Sequence, residues 1–314
     1  MKKTILFLAV LAMLVSSCKD KHDYTPGIIE FSEDTFDDCF DVSNFEAEHE
    51  VLYDKEQLYT IGRHKFTHVY VSYNGNALGV WELPCQVPVL DLPSSTDSIT
   101  IYVVPCFKKN GQSSTIKGYG YIKSYQFKIP LSKGGTTKLT KEMMNKHYQY
   151  HQYTVFPFIE TFHSHIDFSP YNPIISVVNF ECIADPENPS NRLGMITLTG
   201  DSLHETFEVA TPEYIYTLSN QTYLEIRYKC ESDMTIEIAA PDYYTVYPCG
   251  GLYATNEWQT VYINLDERFA NIYNSTSLHA TGIRAKILIS GSKLENQDTH
   301  FYFDYVKIVT GPQS

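Results

Sequence analysis

From residue 67 onward the chain alternates apolar and polar residues in short runs instead of repeating them every three or four positions. The clearest run is 67–83, THVYVSYNGNALGVWEL, where Val69, Val71 and Tyr73 alternate with polar neighbours up to Asn74-Gly75. An Asn-Gly pair accepts the positive φ values of a type I′ turn, whose twist suits the strands on either side. A β-hairpin is therefore predicted, with Leu78, Val80 and Glu82 alternating down the return strand. Pro84 and Pro88 end it, because proline donates no hydrogen bond to a ladder. Further runs at 98–104 and 119–129 flank a second turn at Asn110-Gly111, a spacing that suits a small antiparallel sandwich.

Between residues 131 and 153 the alternation breaks, with Gly134-Gly135, a short predicted helix over 141–147 and an aromatic stretch. The domain boundary is placed there. Strand-like runs resume at 174–183, 194–198, 222–228, 235–239, 259–265, 283–290 and 301–309 with no convincing amphipathic helix between them. That pattern excludes parallel βαβ wrapping and predicts a β-sandwich of the jelly-roll kind. The expected fold is all-β, with two antiparallel β-sandwiches over residues 30–150 and 155–314.

Residues 1–18, MKKTILFLAVLAMLVSSC, follow a different pattern. Lys2 and Lys3 precede an apolar run over 5–15, shorter than the roughly 20 residues a membrane helix needs and suited to a secretory signal. Ser16 and Ser17 directly before Cys18 make LVSSC resemble the lipobox of bacterial lipoproteins. That resemblance implies a signal peptide over 1–17, cleavage before Cys18, diacylglycerol on its sulfur and acylation of the new amine, which together give multi-chain anchoring. Residues 18–29 then read as a flexible polar tether. The charged start after Cys18, Lys19-Asp20-Lys21-His22-Asp23, resembles the surface-export signals of Bacteroides-type lipoproteins, which favours the outer membrane and display at the cell surface.

Composition narrows the function classes. At 43% hydrophobic and 14% aromatic the chain carries too much apolar surface for a disordered one. A net charge of -13 with no visible basic cluster argues against a nucleic-acid partner. Six cysteines follow Cys18, an even number in an exported chain, so disulfides are expected. No C-x-x-C pair is present, and the spacings match no zinc pattern.

Catalytic motifs are missing in the same way. There is no G-x-S-x-G elbow, and 133–138, KGGTTK, lacks the spacing of a phosphate loop. His147 and His151 are four apart and His163 and His165 two apart, but no Glu adjoins His147 in an H-E-x-x-H arrangement, so surface or interface histidines are expected. The acidic stretch 30–41 lacks the spaced ligands and turn glycine of a calcium loop and reads as a solvated surface. No enzyme, cofactor or metal site is predicted. What remains is aromatic: Tyr243, Tyr244 and Tyr247 read as loop residues and Trp258 lies close by, where flat rings would stack on the apolar faces of sugars. The other reading of these residues is strand packing, which tyrosine also favours.

Several segments resemble an uncharacterised group of Bacteroides-type two-domain lipoproteins. They are VYVSYNGNALGVWELPCQVPVL (69–90), FPFIETF (156–162), YLEIRYKC (223–230), EWQTVYINL (257–265) and FYFDYVKIV (301–309). The resemblance implies an immunoglobulin-like domain followed by a galactose-binding-like, carbohydrate-module jelly roll, and in such jelly rolls the counterpart of Asp304 is a calcium ligand. Cys85 and Cys106 depart from the group by standing where it carries small residues, and a disulfide between them is expected. The function expected is a non-catalytic, lipid-anchored protein that binds a glycan through its jelly roll. The alternative is a structural or assembly subunit that binds an envelope protein.

Overall fold

The computed structural model describes residues 25–45, 53–93, 95, 97–123, 125–172, 179–200, 205–218, 220–242, 245–275 and 282–312. Cys18, Tyr243 and Tyr244 lie outside them. The earlier part of the chain carries β1 (Gly27–Phe31), β2 (Phe40–Asp41), β3 (His68–Tyr73), β4 (Asn76–Glu82), β5 (Cys85–Val89), β6 (Ser98–Lys108), β7 (Ile116–Gly118), β8 (Tyr125–Pro130), β9 (Thr136–Leu139) and β10 (Tyr148–Gln149), with helices α1 (Lys55–Gly62) and α2 (Lys141–Met144). The later part carries β11 (Val155–Glu160), β12 (Ser169–Pro170), β13 (Asn179–Ala184), β14 (Arg192–Leu198), β15 (Thr206–Ala210), β16 (Tyr214–Tyr216), β17 (Asn220–Cys230), β18 (Met234–Ala239), β19 (Val246–Leu252), β20 (Thr255–Asn264), β21 (Ile283–Ser292) and β22 (Thr299–Pro312), with helix α3 (Asp266–Ser275).

The fold is all-β. The earlier strands form the sheets β5-β1-β9 and β4-β3-β6-β7, the latter with β8 also on β6, together with a β2-β10 ladder. The later strands form β13-β14-β22-β17-β20, with β11 also on β22, and β12-β15-β21-β18-β19, with β16 also on β21. Pairing is antiparallel throughout the named strands except for β1 with β9 and β2 with β10, which run parallel. A wholly antiparallel first sandwich was expected. The exceptions arise where the chain returns after a long excursion to flank a strand it had already made.

The Asn74-Gly75 turn forms as predicted, with φ of 50° and 75°. Its return strand does not alternate as expected. The register shifts between Val71 and Ser72, opposite Gly79 at φ 117°, so Leu78 and Trp81 pack against the core while Val80 is left half exposed. A bulge changes the phase of every residue beyond it, and only glycine takes that φ without strain.

Cys85 and Cys106 are free thiols, and the expected bridge is absent. The reason is topological. Cys106 on β6 pairs with His68 of β3, whose other neighbour is Glu82 of β4, while Cys85 lies beyond that strand, paired with Phe31 in the other sheet. Thus the two cysteines belong to different sheets.

Two large apolar clusters fill the described residues, beside a small one of Ala210, Ala239 and Leu288. One is built on the earlier sheets but also takes in Phe156, Ile159, Tyr223, Tyr262 and Val309. The other lies between the two later sheets and includes Leu224, Ile226, Tyr228, Phe301, Phe303, Val306 and Ile308. Strands β17 and β22 thus bury both faces at one end, with Leu224 and Ile226 inward and Tyr223 and Val309 against the earlier sheets. The junction is packed like a core, and an isolated parallel bridge, Lys109 with Tyr262, runs across it. Among the described residues no helix is long and apolar enough to cross a membrane.

Candidate functional site

The site begins with α1, which alternation alone does not reveal. Asp54 caps it, its Oδ1 accepting from the Gln57 amide at 2.8 Å while Gln57 Oε1 accepts from the Asp54 amide at 3.0 Å. This reciprocal box satisfies two amides that an isolated first turn leaves unpaired. The far end is closed from another part of the chain. Lys307 of β22 reaches across the junction and donates to the carbonyls of Thr60 at 2.8 Å and Ile61 at 3.5 Å, and also to that of Arg63. An ammonium at the negative end of a helix is favoured electrostatically.

Lys307 is fully buried, and so is its counter-ion Glu225 on β17, 3.4 Å away. Glu225 Oε2 lies 2.8 Å from His64 Nδ1, and its Oε1 accepts from the hydroxyls of Tyr305 at 2.9 Å and Tyr262 at 3.1 Å. Facing a carboxylate fixes the proton of His64 on Nδ1, leaving Nε2 as an acceptor 2.6 Å from the Tyr150 hydroxyl, whose one proton it shares with the Ile61 carbonyl at 2.7 Å. Burial holds the imidazole down at about 4 against the pull of Glu225, so it stays neutral. Burial also brings the Lys307 ammonium down to about 8. Glu225 is held below its ordinary value by His64 and Lys307 against the desolvation that opposes it. The buried charge is therefore one anion and one cation with hydrogen bonds around both.

Next to this network the same sheet face opens to solvent. The register between β17 and β22 shifts after Arg227, so that Arg227 pairs with Tyr305 while Tyr228 pairs with Phe303. The extra residue is Asp304, and a bulge re-aims the side chain it carries. Asp304 meets Arg63 in a two-point contact, Nη1–Oδ1 3.2 Å and Nη2–Oδ2 2.5 Å. It also meets Arg227 Nε at 2.9 Å and the Asn191 side-chain amide at 3.0 Å. Asn191 in turn donates to Asp185 at 3.2 Å. Aromatic rings flank the charges: Arg63 lies over Tyr59 and Tyr305, Arg227 over Trp258, and Lys229 between Trp258 and Tyr302, all at 5.1–5.4 Å from the ring centres. Of these groups Tyr59, Arg63, Asp185, Asn191, Arg227, Trp258 and Asp304 line a cleft of about 630 Å³ between α1 and the open face of the β22–β17–β20 sheet. The calcium role implied for Asp304 does not fit this setting, since two guanidiniums already occupy its carboxylate. Among the described residues no group of three or more His, Cys, Asp or Glu is arranged to hold a metal ion.

Of the residues singled out from sequence, Trp258 stands in the cleft. Tyr247 does not. It belongs to β19 in the opposite sheet, paired with Ile238 and packed against the later core, and is a strand residue where a loop was expected. The histidines are dispersed. His163 lines the cleft 3.9 Å from Glu56, His165 pairs with Asp167 at 3.1 Å, and His147 stacks on Phe127.

The loop that carries Thr161 and His163 is held by Glu160 at the end of β11. Its buried carboxylate accepts from the amides of Phe162 at 2.9 Å and Asp167 at 2.5 Å, and burial pushes it up to about 7. A group that binds its proton more tightly folded than unfolded makes stability rise as pH falls from about 7 towards its ordinary value of 4.5. His64, held near 4 below its ordinary 6.5, acts oppositely, and stability is lost as pH falls from 6.5 to 4. Comparing wild type with Glu160→Gln by urea unfolding at pH 8 and pH 5 isolates the first effect. The wild type should gain on the order of 2 kcal/mol relative to the variant at pH 5. An unchanged difference would show that Glu160 is ionised throughout.

No protein-family model matches the chain, and no curated protein matches it. Solved structures similar to it include a carbohydrate-binding module of the β-sandwich superfamily described for promiscuous specificity (TM-score 0.34, 12% identity, 77% of this chain and 84% of the other). A family 29 carbohydrate-binding module complexed with mannohexaose is also similar (TM-score 0.32, 8% identity, 51% and 94%). So is the enzymatically active domain of a bacteriophage CBA120 tailspike protein (TM-score 0.30, 9% identity, 45% and 18%). These likenesses are coarse.

Proposed function

We propose that this chain is a non-catalytic glycan-binding protein whose site is the cleft between α1 and the β22–β17–β20 face, carried at the outer membrane by a lipid anchor on Cys18. The observation that supports it is the pairing of an exposed and a half-buried ring with fixed polar groups. Trp258 and Tyr59 flank a line of Arg63, Asp304, Arg227 and Asn191 whose members already hold one another in place. Sugars offer apolar C–H faces to rings and hydroxyls to carboxylate, guanidinium and amide groups, and a site fixed before binding loses less on ordering. Two of the cleft's four carboxylates argue against hydrolysis. Asp304 is held by two guanidiniums and an amide, and Asp185 by Asn191 and the Glu187 amide, so neither stands free as a general acid or nucleophile.

The test is a glycan array probed with the soluble chain from Lys19 onward, beside its Trp258→Ala variant. Binding to at least one oligosaccharide that the variant loses supports the reading. No binding, or binding the variant keeps, rejects it in favour of an envelope-protein partner. The anchor is checked separately by palmitate labelling: label should enter the full chain and not its Cys18→Ala form.

A further inference from the structure

The cleft does not end at Arg63 and Trp258. A second lobe of about 440 Å³ shares Tyr59, Arg63, Arg227 and Trp258 with the first and continues past them to Asp37, Asp38, Lys65 and Lys141. The shared residues form a waist with Tyr59 and Arg63 on one side and Arg227 and Trp258 on the other. The outer end of one lobe is lined by exposed Glu187, Asn188 and Ser190, and that of the other by exposed Asp38 and half-exposed Lys141.

Charge along this groove is balanced. Six Lys or Arg and six Asp or Glu line the two lobes together, and many are already paired. Lys141 meets Asp38 at 2.5 Å, and Arg63 and Arg227 share Asp304. An anionic ligand would have to displace these internal carboxylates from their cations, whereas a neutral polyol can add hydrogen bonds to groups whose charge is already compensated.

From this continuity and balance we infer that the groove binds the interior of a linear, neutral oligosaccharide, with one sugar at the waist against Trp258 and neighbouring sugars in each lobe. This rests on the glycan-binding reading above and adds chain length, internal placement and neutrality to it. A ligand of that kind contacts both parts of the chain at once, since Tyr59, Arg63 and Lys141 come from the earlier strands' side and Trp258, Arg227 and Asn188 from the later.

The experiment is calorimetric titration of the soluble chain with cello-, manno-, xylo- and laminari-oligosaccharides of one to six residues, with oligogalacturonides as the acidic series. In at least one neutral series affinity should climb about tenfold or more from the disaccharide to the tetrasaccharide. Blocking the reducing end should leave it unchanged. Asn188→Ala, in one lobe, and Lys141→Ala, in the other, should each weaken the hexasaccharide several-fold and leave the disaccharide as it was. Affinity that is flat with length, that needs a free chain end, or that appears only for the acidic series would overturn the inference while leaving glycan binding at Trp258 intact. Failure of Trp258→Ala to weaken any series removes both.

Discussion

Replacing Lys307 by methionine should destabilise the fold by about 3–5 kcal/mol, among the larger effects available to one substitution in this protein. The methionine fills much of the same volume, so the loss comes from polar groups left behind. Glu225, fully buried, would lose its only ammonium, and the Arg63 carbonyl would lose the ammonium that donates to it, while the carbonyls of Thr60 and Ile61 would keep only the Arg63 amide and the Tyr150 hydroxyl. Adding Glu225→Gln to the methionine variant removes the stranded anion, and the double variant should be less damaged than the sum of the two single ones. Urea unfolding of the four proteins reads this directly. A Lys307→Met protein within about 1 kcal/mol of wild type would mean that the ammonium is not what holds α1 to β22.

The consequence reaches the cleft, because Arg63 follows α1 by one residue and Tyr59 lies within it. Both walls of the proposed site are positioned by the same buried pair: α1 through Lys307, and the sheet through Glu225, two residues before Arg227 on β17. A glycan site at such a junction has its geometry fixed by burial elsewhere, so affinity and stability should fall together when the network is broken.

Alternation located most of the sandwich strands because a half-buried strand repeats every second residue. Leu224, Ile226 and Tyr228 turn inward and Glu225 and Arg227 outward, as a reader of 223–230 would expect. What alternation cannot show is which outward residues a distant segment later covers. Glu225 and Lys307 sit in strand positions that read as solvent-facing, yet both are wholly buried, since the earlier sheets lie over that end of the face. The helix that carries Tyr59 does leave a mark, Asp54 and Gln57 at the spacing of a capping box, but eight residues of weak periodicity look like a loop. Asp304 could be suspected from its place in a strand, but its role depends on a bulge and on Arg63, more than two hundred residues away. Tyr247 was chosen by residue type, and strand packing claimed it. Trp258 was chosen the same way and stands in the cleft because its strand position faces outward beyond the covered end.

Trp258→Ala should weaken glycan binding about 30-fold, equivalent to about 2 kcal/mol, with little change in stability. The indole is half buried on an outward sheet face, with Arg227 and Lys229 each about 5 Å from its centre. Its loss takes away the flat surface at the waist and also the ring against which the Arg227 guanidinium lies in the groove. Tyr247→Ala is the discriminating companion. Its ring packs against the later core, so that variant should lose stability while binding as wild type does at temperatures where it remains folded. The opposite pattern, affinity lost with Tyr247 and kept without Trp258, would move the site to the other sheet, where β18 and β19 meet.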